Sequence, residues 1–316
     1  MDNMDSQTSR PDIKTRFLVI SDTHGYELPS NYSAPADVAI HCGDLTTGSK
    51  IEEFRSAINL LKNIQAPLKL VIAGNHDFTI DIPVFQRKVA EVDPPLDSEL
   101  VKKEYGDFGE IMGLFGEVKN SGIIFLTEGT HVFSLSNGAS LKVYASPYTP
   151  SLGDWGFQYH PEKGHNFDLG GGGDVDVLIT HGPPKGIMDM TYSGGRAGCP
   201  ALFETVARSR PRLHCFGHIH EGWGAKLVTW RKTISDKPSH LTDIDNGRST
   251  VIAKLSQLTP RADTGLRQST TSHCTGDPNP LKAGSQTLFV NAAFEGTEDL
   301  PTHPPWLIDI ELPPAA

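Results

Sequence analysis

The sequence predicts an α/β fold in which two mixed sheets pack face to face with helices outside. Three observations carry this expectation. Early in the chain, apolar runs of buried-strand type alternate with turns and one amphipathic helix, the pattern of a sheet with right-handed crossovers. From residue 122 onward, short strands separated by turn residues read as antiparallel or mixed, which adds a second sheet. With 316 residues, 37% hydrophobic and 21% charged, the chain has the composition of a globular protein with a sizeable core.

Residues 1–14 read as a disordered lead-in, and they lack the apolar stretch of a secretory leader. The expected domain spans 15–312. Its first apolar run, Arg16-Phe17-Leu18-Val19-Ile20, stops at Ser21-Asp22-Thr23-His24-Gly25, and a second, over 37–41, stops at Cys42-Gly43-Asp44. Residues 49–64 carry apolar side chains at Ile51, Phe54, Ile58, Leu61 and Ile64, which is helical spacing. Ser49 reads as N-cap, with Glu52 at the capping-box position. The third run, over 68–72, ends at Ala73-Gly74-Asn75-His76-Asp77, three adjacent polar groups that are costly to bury unpaired.

Residues 81–120 are mixed, with helical stretches at 84–92 and 97–105 broken by Pro94-Pro95. Short strands follow at 122–126, 131–135 and 141–145, the last two joined by an Asn137-Gly138 hairpin turn. A buried strand over 175–180 ends at His181-Gly182-Pro183-Pro184. A helix over 200–208 and a strand over 213–216 lead into Gly217-His218-Ile219-His220-Glu221-Gly222. Residues 231–284 are rich in Ser, Thr, Asp and Lys, so they read as an inserted, flexible surface loop. Strand character resumes at 287–290 and 306–310.

Composition narrows the partners. A net charge of -10 with no basic face argues against a nucleic-acid duplex. It leaves room for a phosphate ester, because bound cations dominate their local field. No apolar run is long enough to span a bilayer, so no membrane is expected as partner. Four cysteines without a CxxC pair read as reduced thiols of a cytoplasmic protein.

Five of the apolar strands stop at metal-type residues: Asp22 and His24, Asp44, Asn75 and His76, His181, and His218 and His220. Each group sits just past a strand, and an x-spaced pair on extended backbone points to one side. Imidazoles, carboxylates and a carboxamide make a mixed N/O set suited to Mn, Fe, Zn or Ni. Seven candidates exceed one tetrahedral site. With one shared carboxylate they suit two ions ~3.5–4 Å apart, the clamp of phosphoryl transfer.

In this order, Asp22-x-His24, Gly43-Asp44, Gly74-Asn75-His76-Asp77, His181 and Gly217-His218-x-His220 resemble the five blocks of the calcineurin-like metallophosphoesterases. Trp155-Gly156-Phe157, Thr180-His181-Gly182-Pro183-Pro184, Arg196-Ala197-Gly198-Cys199, His220-Glu221-Gly222-Trp223-Gly224 and Asn291-Ala292 narrow the resemblance to the animal metallophosphoesterase-domain-containing proteins. So does Pro301-Thr302-His303-Pro304-Pro305. Those proteins are similar to class III cyclic-nucleotide phosphodiesterases. The resemblance covers residues 15–230 and 285–312.

The resemblance implies a four-layer αββα sandwich. It implies one metal site from Asp22, His24, bridging Asp44 and His220, and a second from Asp44, Asn75, His181 and His218. A metal-bridging hydroxide would attack the phosphorus of a small diester such as a 2′,3′- or 3′,5′-cyclic nucleotide, with Mn the expected assay metal. Some members of the group have lost the first histidine of Gly-His-x-His, whereas this chain keeps His218. His76 then faces the substrate as a catalytic residue, with Asp77 holding its proton. Asn75, Arg196 and Trp155 are the expected substrate contacts.

The alternatives are a phosphomonoesterase or protein Ser/Thr phosphatase on the same site, or a non-enzymatic metal-binding protein whose insertion takes a partner. His41 and His214 read as core or supporting histidines, and His131, His160, His165, His240, His273 and His303 as solvated. The glycine run at 170–173 lacks a following Lys-Ser/Thr and reads as a flexible connection, not a phosphate loop.

Overall fold

The computed structural model describes residues 10–26, 34–170, 175–258, 268–297 and 300–315. β1 (Ile13–Ile20), β2 (Val38–His41) and β3 (Leu68–Val71) lie parallel and adjacent, with α1 (Ile51–Asn63) crossing between the last two. Then α2 (Ile82–Glu91), α3 (Ser98–Tyr105) and α4 (Glu110–Glu117) lead to β4 (Ile123–Phe125), which pairs in parallel with β3. The hairpin of β5 (Gly129–Ser134) and β6 (Ser140–Ser146) opens the second sheet. Two short strands, β7 (Thr149–Pro150) and β8 (Gln158–Tyr159), pair with each other. Next, β9 (Val177–Thr180), α5 (Pro200–Ser209) and β10 (Leu213–Phe216) build a second parallel run.

β11 (Gly224–Thr229), β12 (Thr250–Lys254), β13 (Ser269–Ser272) and β14 (Gln286–Asn291) follow. A small antiparallel pair, β15 (Glu295–Thr297) and β16 (Leu300–Thr302), precedes β17 (Trp306–Leu312). The two large sheets have the orders β13-β17-β1-β2-β3-β4 and β12-β11-β14-β10-β9-β6-β5.

Side-chain alternation along the strands sets the layers. Phe17 and Val19 of β1 point into a core shared with Ile40, Leu70, Val177 and Leu213, between the sheets. Leu18 and Ile20 point the other way, under Phe54 and Leu61 of α1 and Phe115 of α4. On the far face, Leu178, Phe216 and Phe289 pack under Leu202, Phe203 and Val206 of α5. Both faces of these strands are covered, which is why they read as continuous apolar runs. The result is the expected αββα sandwich. Truncating a fully buried anchor such as Phe54 to Ala costs about 3–5 kcal/mol.

Some expectations are corrected. β1 begins at Ile13, inside the expected lead-in, whose residues 1–9 lie outside the described ones. Residues 231–284 are not a detached loop: β12 extends the second sheet beside β11, and β13 extends the first beside β17. Asp243, Ile244, His273 and Cys274 within that stretch are buried. Residues 259–267 lie outside the described ones, as do 171–174, which include most of the glycine run. β4 belongs to the first sheet, and α4 was not expected. α1 starts one residue later than Ser49 implies. Glu53, not Glu52, accepts hydrogen bonds from the N–H groups of Gly48 and Lys50, while the Ser49 hydroxyl bonds Thr79.

Candidate metal centre

β1, β2 and β3 of one sheet and β9 and β10 of the other end on one rim. Chain contacts stitch that rim together. The Asp22 N–H donates to Gly43 O at 2.9 Å, and the Gly217 N–H donates to His181 O at 2.9 Å. The side chains converge through turns and not through strand pleating. Asp22, His24, Asp44 and His218 have φ of 53°, 43°, 53° and 64°. They are half of the eight non-glycine residues with positive φ among the described ones, and such conformations cluster at functional sites.

Two of the three groups of ligand-type atoms among the described residues are Asp22 with His24 and His220, and Asp44 with His181 and His218; within each, all lie within 4.8 Å of one another. Asp44 Oδ2 is 3.8 Å from His24 Nε2 and 3.3 Å from His181 Nε2, so it stands between the groups. Asn75 Oδ1 is 2.9 Å from His181 Nε2. Asp22 Oδ1 is 3.3 Å from His220 Nε2. All seven expected ligands are therefore gathered in one place.

Backbone groups aim these side chains. The carbonyls of Thr46 and Cys42 can only accept, so the 2.9 Å contacts to His24 Nδ1 and His181 Nδ1 place an N–H there and turn both Nε2 atoms inward. The His218 N–H donates to both Asp22 oxygens at 3.0 Å, and the His76 N–H donates to Asp44 Oδ1 at 2.8 Å. Close packing leaves no room for a side chain behind the carboxylates. A Cβ on Gly217 would collide with the Asp22 carboxylate, and one on Gly74 with Asp44 and His181. A mixed N/O donor set of this kind, with inward-facing ring nitrogens and clamped carboxylates, fits divalent cations.

Burial alone would raise both carboxyls, but the surrounding imidazoles outweigh it. His220, with His181 and His24, holds Asp22 far below the carboxylate range, and His181 holds Asp44 at about 2. Burial would likewise lower His181, yet Asp44 and Asp22 keep it at about 9. His218 is pushed down by burial to about 4. His41 is held neutral by burial at about 3, accepts from the Gly43 N–H and meets the Thr23 hydroxyl, so it braces the loops as expected.

His76 stands at the edge of this set. Its Nδ1 is 2.7 Å from Thr47 O, and its ring stacks on Trp155 with centroids 4.1 Å apart. It also forms a ligand-type group with His24 and Asp44. The expected partnership with Asp77 is corrected. Asp77 is fully buried and accepts from the N–H groups of Leu45, Thr46 and Gly74 and from the Thr46 hydroxyl. Burial, then Asp44, pushes its carboxyl up to about 7 against these donors. Asp77 ties the motif turn to the loop after β2; the carbonyl of Thr47 orients His76.

Arg196 is not brought among the ligands. Its guanidinium pairs with buried Asp189 and lines a separate cleft with Tyr159, Lys163 and Lys185. The Tyr148 ring stacks on His165. His214 is a core residue whose Nδ1 lacks a partner among the described residues, and His273 and His303 are buried, contrary to expectation.

One carboxylate near the site was missed. Glu295 Oε2 lies 3.4 Å from His24 Nε2 and 4.0 Å from His220 Nδ1. Its only sequence signal is its place shortly after the strand that ends at Asn291. The Asn291 carboxamide itself donates to Ile219 O at 2.9 Å and so supports the His218-x-His220 turn.

A family model described as calcineurin-like phosphoesterase matches residues 15–222. The human metallophosphoesterase domain-containing protein 1 is 34% identical over 232 residues, covering 71% of this chain and 66% of that protein. The probable rhamnogalacturonate lyase C of Emericella nidulans is 34% identical over 217 residues, covering 68% of this chain and 18% of that protein. The chain thus spans only part of each of these relatives. The purple acid phosphatase PPD1 from yellow lupin seeds aligns over 89% of this chain and 44% of that one, at 9% identity and a TM-score of 0.37. The family match contains all five strand-end blocks whose side chains meet on the rim, and the chain belongs to the calcineurin-like phosphoesterase family.

Proposed function

We propose that this chain is a cytoplasmic phosphodiesterase that hydrolyses small diesters, cyclic nucleotides among them, on two divalent cations, with Mn²⁺ the most effective in assay. The observation that carries this reading is the position of Asp44 between the His24 and His181 nitrogens, where one carboxylate can serve two ions. Asp22, His24, Asp44 and His220 hold one ion; Asp44, Asn75, His181 and His218 hold the other. When bound, such ions supply Lewis-acid charge for the phosphoryl oxygens and activate water at neutral pH.

The protein's own groups supply the rest. Thr47 O fixes the His76 Nδ1–H, so in the doubly protonated ring it is the Nε2–H that gives its proton to the leaving oxygen, and the ring keeps the Nδ1–H. The half-exposed Trp155 ring beside it offers a stacking face for a nucleobase or aryl group, which favours an aromatic diester over a bulky phosphoprotein. The lyase activity in the fungal relative's name is not carried over, since the match covers 18% of that protein.

The test is a panel run on metal-reconstituted protein: bis-p-nitrophenyl phosphate, p-nitrophenyl phosphate, and 2′,3′- and 3′,5′-cyclic nucleotides. Diesters are expected to exceed the monoester in kcat/KM. Preference for the monoester would make the chain a phosphatase, and no turnover with both ions bound would make it a non-enzymatic metal protein.

A further inference from the structure

Glu295 reaches the metal centre by a route independent of the five strand-end blocks. The chain after β14 runs beside the end of β1. Ser21 bridges Ala293, the Phe294 N–H donates to Ser21 O at 2.8 Å, and the Glu295 N–H donates to Asp22 O at 3.1 Å. Glu295 is thereby held beside Asp22 by its backbone, and its side chain needs only to reach across to His24 and His220.

The His24 Nε2 faces two carboxylates, Asp44 Oδ2 at 3.8 Å and Glu295 Oε2 at 3.4 Å. With Nδ1 committed to Thr46 O, Nε2 is the ring atom left to face both. The separation from Glu295 is that of neighbouring ligands on one ion, since bonds of ~2.1 Å set at tetrahedral or octahedral angles place donors roughly 3–3.4 Å apart.

We propose that Glu295 is a third carboxylate of the Asp22/His24/Asp44/His220 site and biases that site toward a hard, oxygen-preferring ion such as Mn²⁺ over Zn²⁺. This rests on the two-metal reading above. Without Glu295 the site offers two imidazoles and two carboxylates, a four-donor set congenial to tetrahedral Zn²⁺. A fifth donor, an oxygen, raises the coordination number and the charge. Both changes narrow the advantage that nitrogen-rich sites give Zn²⁺ over Mn²⁺.

The test is calorimetric titration of the chelator-stripped full chain with Mn²⁺ alone and Zn²⁺ alone, for wild type, Glu295→Gln and Asp44→Asn. Glu295→Gln preserves shape, and an unchanged melting curve will show that β15 stays in place. The expected result is a fall of about tenfold or more in Mn²⁺ affinity at one of two sites, with a clearly smaller fall for Zn²⁺. Unchanged Mn²⁺ affinity, or an equal fall for both ions, overturns the proposal. Asp44→Asn separates the two readings. If that variant still binds both ions at wild-type affinity, the shared-carboxylate centre itself is wrong; if it loses them while Glu295→Gln does not, only the role of Glu295 fails.

Discussion

His76 and Trp155 are stacked, with ring centroids 4.1 Å apart and planes 28° from parallel, and the His24 ring meets His76 edge-on at 4.8 Å. Together with the Thr47 carbonyl, these contacts hold the imidazole in one orientation. Replacing His76 with Ala should lower kcat by about 10²–10⁴-fold while two ions stay bound, because the loss is of proton transfer. Trp155→Ala should lower kcat by a smaller factor and raise KM most for nucleobase or aryl diesters, with Trp155→Phe close to wild type. Metal analysis alongside kinetics decides the role of His76. Loss of an ion in His76→Ala would make it a ligand, as its grouping with His24 and Asp44 permits.

Asp77 predicts a stability effect without a kinetic one. Its carboxylate accepts from three backbone N–H groups and one hydroxyl, all buried. Removing it leaves those donors unpaired, at about 1–3 kcal/mol for each group that finds no water. Asp77→Ala should therefore lower unfolding free energy by about 3–5 kcal/mol, measured by urea titration. Folded variant should keep the wild-type pH profile of kcat. A shifted profile would restore Asp77 as the partner of His76.

Stability of the chelator-stripped protein should peak near pH ~6.5, the ordinary histidine value. His41, His214 and His218 are held neutral by burial at about 3, about 3 and about 4. Between ~4 and ~6.5 the unfolded chain binds protons that these three refuse, so stability rises with pH by up to ~1.4 kcal/mol per unit for each. Asp77, pushed up to about 7, opposes this, but it is one group against three. Above ~6.5 the sign reverses. His181, held at about 9 by Asp44 against its burial, keeps in the folded state a proton that the unfolded chain has released. That stabilisation is complete below ~6.5 and is lost as pH climbs through about 9; His220, raised by Asp22 against its burial, acts in the same direction. Melting curves from pH 5 to 9 in chelator check this, and stability that keeps rising to pH 9 would overturn the charge assignment at His181.

The ligand blocks were legible because each is a polar stop immediately after an apolar strand, and two parallel runs of strands bring such stops to one rim. Glu295 was not legible, because it reaches the site through a bridge between the ends of β14 and β1 that no local pattern encodes. β12 and β13 were read as loop for a related reason. They are edge strands with no fully buried residue, so their polar composition matches a surface segment although their backbones pair with both main sheets. The helix α4 was hidden by Gly113 and Gly116, which weaken helical propensity while Ile111 and Phe115 do the packing. Asp77 was misassigned because adjacency in sequence to His76 says nothing about which way a turn sends each side chain.

The glycines behind the carboxylates allow one ion to be removed without touching a ligand. A Cβ on Gly217 would overlap the Asp22 carboxylate and the Ser21 side chain, while one on Gly74 would overlap Asp44 and crowd His181 at 2.7 Å. Asp22 serves one proposed ion and Asp44 serves both. Gly217→Ala should therefore reduce bound metal from two ions toward one, with the His181 and His218 side of the centre retained. Gly74→Ala should depress both, because the shared carboxylate and a histidine of the second site must shift together. Metal content after gel filtration, read with a melting curve to confirm folding, distinguishes the pair. Equal metal loss in two folded variants would show that Asp44 does not link the sites as its position between His24 and His181 implies.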